Sequence, residues 1–216
     1  MFDFAIVAIV ASNVAAAWIA STHGWSLQLL LWTYWVQSTL IGVFSFRRIL
    51  ALRRFGTDGV TWNDKPIEPT NETKHRFAWF FAAHFGIFHV VHFVFLAVLG
   101  AGGKLGAPLL STDIEWILLL GFAFALSHGL SQRVNLAADL RHEQHIGALM
   151  TLPYARVIPM HLTVLLAFHL KDASSTLLLF VILKTFADVA MHVFEHYWLQ
   201  TGRLRTFRLN IGTEGD

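Results

Sequence analysis

Four ionisable side chains recur at every fourth residue inside an apolar stretch near the end of the chain: Lys184, Asp188, His192 and His196 in KTFADVAMHVFEH. On an α-helix that spacing stacks them along one slowly drifting face, with Leu183, Val189, Val193 and Phe194 filling the others. An ionisable group at mid-bilayer costs at least ~3 kcal/mol on the insertion scale, so several on one face require partners and mark a functional site. His192, Glu195 and His196 also spell H-x-x-E-H, in which two histidines one turn apart chelate zinc and the glutamate acts as general base. Here Glu195 falls on the flank of the His192/His196 face, so only half of that pattern applies.

Three other apolar stretches carry histidine. HFGIFHVVH holds His84, His89 and His92, with His89 and His92 sharing a face. FALSHGLSQRVN holds Ser127, His128 and Asn135, and PYARVIPMH holds Arg156 and His161. Imidazole suits zinc, iron, copper and nickel. The chain has no cysteine, which removes disulfides, thiolate sites and iron–sulfur clusters, so any metal is held by nitrogen and oxygen. Three chemistries follow. A zinc-type hydrolase would use metal-bound water, with Asp188 or Glu195 as base, against a lipid-like amide or ester. A transporter of metal ions or protons would use the same groups as a path. A haem-b electron carrier would take two histidines from facing helices. The plain alternative is a hydrogen-bonded polar core without metal.

These groups must be positioned by membrane helices. With 216 residues, 55% hydrophobic and 14% charged, and a positive mean hydropathy, the chain fits a single all-α transmembrane bundle. Apolar helices are expected at about 3–20, 26–46, 77–99, 114–131, 155–170 and 175–198, each near the ~20 residues that cross hydrocarbon. Asp3 stands where a signal peptide would be basic, so the first stretch is read as a retained span. Thirteen basic residues fall in the loop 47–76, the segment 132–156 and the tail after 200, against Lys104 and Lys171 on the other side. The positive-inside rule then places both termini in the cytoplasm of a multi-pass protein of the cell's inner membrane. Basic residues gather between spans, without a regular face interleaved with aromatics, which argues against nucleic acid as a partner and leaves membrane lipid.

Asn13 and Gln37, each in mid-span, read as helix-to-helix hydrogen bonds. Loop 47–76 opens as the basic run RRILALRRF, expected along the cytoplasmic surface with its paired arginines near anionic lipid. Segment 132–152 reads as an interfacial helix, with His142, Glu143 and His145 on a solvated face rather than at a second metal site. Residues 201–216 read as a cytoplasmic tail.

Orientation lets depth be compared between helices. Counting at ~1.5 Å per residue from the cytoplasmic boundary, His84, His128, His161 and His192 fall in one inner layer. His196 lies just below it, and Asp188 and His89 just above. A metal site built from His84, His128, His161, His192 and His196 follows as an expectation, zinc being the favoured ion.

Taken in order, HFGIFHVVH, SHGLSQRVN, PYARVIPMH and KTFADVAMHVFEH resemble an uncharacterised family of prokaryotic integral membrane proteins known as a domain of unknown function. The likeness covers most of residues 28–198, and the matching positions are His84, His92, His128, Asn135, Arg156, His161, Lys184, Asp188 and His192. Gln37 stands where that family more often has a glutamate. More distantly, the site is similar to that of adiponectin receptors and alkaline ceramidases, seven-span zinc amidases. That resemblance implies Ser127 and Asp188 placing a zinc-bound water, with His128, His192 and His196 as ligands. The missing span makes it an analogy of site chemistry.

Overall fold

The computed structural model describes residues 6–7, 10–11, 13–15, 18, 22, 25–139, 143–167, 169, 173–194 and 209–211, some of them, including His192, by backbone alone. Six helices carry most of this length: α1 Leu27–Ala51, α2 Asn71–Ala101, α3 Ser111–Asp139, α4 Ile146–Thr151, α5 Tyr154–Ala167 and α6 Ala173–Phe194. Residues 13–15 add a helical stretch ahead of α1. The long helices begin at proper caps. Ser26 accepts the Leu29 N–H at 3.1 Å to start α1, and Thr70 accepts the Thr73 N–H at 3.1 Å to start α2.

Among the described residues, four stretches are long and apolar enough to cross a membrane: Leu27–Ala51, Asn71–Ala101, Ser111–Leu130 and Ile146–Leu166. Val90, Val94, Val98, Leu118, Phe122 and Leu126 are all exposed on their helices. An outward apolar surface of that extent suits hydrocarbon rather than water.

Polar groups stitch the helices at specific heights. Trp35 Nε1 of α1 donates to the His89 carbonyl of α2 at 2.9 Å, and Ser38 Oγ lies 3.0 Å from His89 Nε2. His89 Nδ1 faces the Phe85 carbonyl at 2.9 Å and must donate to it, so Nε2 of the neutral ring accepts from the serine. One turn on, a Cβ on Gly42 would overlap the Phe85 ring, so α1 and α2 approach this closely only with glycine there. The core divides in two. One cluster, around Ile49, Phe77, Phe81, Phe85, Ile146 and Leu149, fills the end where α1 stops and α2 begins. The other, around Leu31, Leu96, Leu99, Met160, Val164 and Phe180, fills the opposite end.

The basic end is closed by a cap of short strands, which departs from the all-α expectation. β1 Phe55–Gly56 pairs in parallel with β4 Gln144–His145. β2 Val60–Trp62 pairs with β3 Lys65–Pro66 across a two-residue turn in which Asn63 and Asp64 both have positive φ, as a type I′ hairpin demands. β5 Leu209–Ile211 adds to β2 in parallel, so the segment after 200 is docked in part rather than being a plain tail. Loop 52–70 is accordingly folded under the bundle, and α4, expected at the interface, has Ile146, Ala148, Leu149 and Met150 buried. His145 is a structural clip. Its Nδ1 accepts the Ala148 N–H at 3.3 Å to cap α4, which leaves Nε2–H to donate to the Asp58 carbonyl at 2.8 Å.

Lys74 ties the cap to the bundle. Its buried Nζ donates at 3.0 Å to the carbonyl of Leu52, the C-cap of α1, where the helix's terminal carbonyls favour a cation. Lys74→Ala should lower the unfolding free energy in detergent by about 1–3 kcal/mol, because a buried carbonyl loses its donor. Lys65→Ala, at an exposed strand position, should leave the melting temperature unchanged in the same thermal scan.

Candidate functional site

Two intrahelical spacings on α2 meet two on α5. His84 Nδ1 lies 2.7 Å from the Tyr154 hydroxyl, and His92 Nε2 lies 3.2 Å from His161 Nδ1. Both helices start at the capped end and so run in parallel. Eight residues separate the two histidines of α2, and seven separate their partners on α5, about 12 and 10.5 Å of rise. The contacts therefore form two rungs between parallel helices.

The upper rung is the more specialised. His92 is 1% exposed, and its Nδ1 faces the Phe88 carbonyl at 2.6 Å. That carbonyl only accepts, so Nδ1 carries the proton and Nε2 offers its lone pair to His161. A histidine held this way by a backbone acceptor has the orientation that metal-binding histidines commonly take. Across a haem, two axial nitrogens stand about twice the ~2 Å metal–nitrogen bond apart. At 3.2 Å the rings leave no room for a macrocycle between them.

A second polar centre joins the first and last parts of the chain. Lys184 Nζ donates to Asp188 Oδ2 at 2.7 Å and to Asn13 Oδ1 at 2.6 Å, while Asn13 Nδ2 donates to the same Asp188 oxygen at 3.0 Å. Each member thus meets the other two. Lys184 Nζ also sits 5.9 Å from the centre of the Tyr34 ring, whose hydroxyl donates to the Arg156 carbonyl at 2.8 Å. Asn13 is the helix-to-helix hydrogen bond expected of a mid-span asparagine.

Tyr34 packs between α5 and α6, its hydroxyl on the Arg156 carbonyl and its ring 5.3 Å from that of Phe180. His84 is level with Tyr154, a rung below His161. The expected layer put His84 and His161 at one depth, whereas the two rungs set them about 11 Å apart.

His128 lies elsewhere, on α3, between the rings of Phe44 at 5.1 Å and Phe124 at 5.3 Å, beside a cavity of about 110 Å³ that Ser45, Arg48 and Arg156 also line. Ser127, next to it in sequence, is on the exposed face of α3. Glu195 and His196 lie outside the described residues, as does the side chain of His192. Among the described residues no three histidine or carboxylate groups converge as a metal site, and His92 with His161 is a pair. His92 was legible as one of three histidines on its helix, yet no residue pattern betrayed the rotation that turns it, and not His84, towards His161.

The charge pair yields a direct test. Asp188→Asn or Lys184→Met alone should each cost up to about 3 kcal/mol, because each strands a half-buried charge. The double variant should cost less than either single one, as read by thermal unfolding of the purified proteins.

Comparison with known proteins returned one family. No curated protein and no solved structure matches the chain. Residues 2–203, which include Asn13, His92, His161, Lys184 and Asp188, match the family of unknown function DUF6498, and the chain belongs to that family.

Proposed function

We propose that the protein is an inner-membrane transporter of a transition-metal cation, zinc being the first to test, with His92 and His161 as its binding station inside the bundle. The observation that supports this is the 3.2 Å approach of two imidazole nitrogens in a buried setting. Nitrogens sharing a tetrahedral zinc at ~2.0–2.1 Å stand about 3.3 Å apart. Without the ion, the same geometry holds an N–H···N hydrogen bond. A cation entering there takes the place of the bridging proton, which moves to His161 Nε2.

Among the described residues the station has two protein ligands, fewer than a resident zinc takes, and that suits cargo. Passage requires binding favourable enough to enter and weak enough to leave. Lys184, Asp188 and Asn13 supply a second polar centre of the kind that lines ion paths in membranes. A zinc-dependent hydrolase of a lipid-like amide or ester fits less well. Asp188 is already held by two donors, and Ser127 faces outward. On this reading the chain crosses six times with both termini cytoplasmic, α6 and the apolar stretch bearing Asn13 joining the four stretches that are long and apolar enough. The basic loops then lie together at the capped end.

Reconstitution into liposomes with an internal zinc-sensitive dye tests the proposal. Wild type should admit zinc, whereas His92→Ala and His161→Ala should each reduce both flux and bound zinc severalfold. His75→Ala, at the exposed start of α2, should change neither. Equal zinc flux and content in all four proteins would end the proposal. Sealed liposomes together with cleavage of a lipid amide would replace transport by hydrolysis.

A further inference from the structure

A cleft of about 420 Å³ opens between the last turns of α1 and the lower half of α3. Arg47 and Arg48 from α1 and Arg133 from α3 line it, and no aspartate or glutamate is among its lining residues. The floor is fixed by Gln132, whose Nε2 donates to the Phe44 carbonyl at 2.7 Å and so holds α3 against α1. Part of the lining is apolar. Leu126 and Leu130 are 53% and 62% exposed, and the same surface of α3 continues along the helix as Leu119 and Phe122. Beyond Arg48 the basic surface extends into the smaller cavity where Arg156 and His128 lie.

The geometry points to a site for one anionic membrane lipid, its phosphate headgroup among Arg47, Arg48 and Arg133 and its acyl chains along Leu126 and Leu130. Guanidinium groups bind phosphate oxygens through paired N–H donors, and three of them around one cleft suit a phosphate diester or monoester. The apolar wall selects a lipid over free phosphate, which would gain nothing from it. Position agrees, because beside the cleft the apolar run of α3 gives way to the polar Ser131, Gln132 and Arg133 and the basic end begins. This assignment does not depend on what the bundle transports.

Native mass spectrometry of the full-length protein, titrated with phosphatidylglycerol or phosphatidylcholine, tests it. Wild type should retain one phosphatidylglycerol in preference to phosphatidylcholine. Arg47→Gln combined with Arg133→Gln should weaken that retention roughly tenfold or more, as expected when two guanidiniums are lost near a lipid phosphate. Arg54→Gln, an exposed arginine that does not line the cleft, should not. Millimolar inorganic phosphate should fail to displace the lipid. Should the double variant not fold, Arg133→Gln alone, at an exposed position, carries the same expectation at a smaller size. Equal retention of the two lipids, equal loss in Arg54→Gln, or displacement by inorganic phosphate would each overturn the site.

Discussion

Inside hydrocarbon there is no water to satisfy a polar side chain, so its partner must come from the protein, and here several partners lie on other helices and help decide which helices meet. Asn13 joins the start of the chain to α6 through Lys184 and Asp188. Tyr34 joins α1 to α5, Trp35 and Ser38 join α1 to α2, and Gln132 joins α3 to α1. Apolar packing between helices differs little from packing against lipid tails. The polar contacts therefore carry much of the specificity of the bundle, while Gly42 permits the close approach of α1 and α2.

Much of this was readable from the amino-acid sequence because hydrocarbon imposes a simple rule on length. The stretches around α1, α2, α3 and α6 stood out as apolar runs, and the fourfold spacing of Lys184 and Asp188 placed both on one helical face. The cap was not readable. Its strands are two or three residues long, too short for an alternating pattern, and β5 finds β2 nearly 150 residues away. Ile146–Met150 carried charged neighbours that made it look interfacial, whereas its own side chains pack under α1 and α2.

The site was legible in its residue types and not in its pairings. Depth counted from sequence depends on where each helix enters the membrane, and an error of two turns exchanges one rung for the next. His84 and His161 were expected at one level. In the structure each has a partner from the other's helix, Tyr154 and His92 respectively. Helix rotation, set by the Trp35–Ser38–His89 seam, is what turns His92 inward, and that seam leaves no periodic trace in the chain.

The central claim is that His92 and His161 bind one cation between them. X-ray absorption at the zinc edge of the metal-loaded protein tests this most directly, since it reads the ligand shell and not the transport that follows. The account predicts two imidazole nitrogens at ~2.0–2.1 Å, with the imidazole scattering reduced in His92→Ala. A shell of oxygen alone, or an identical spectrum from His92→Ala, would contradict it.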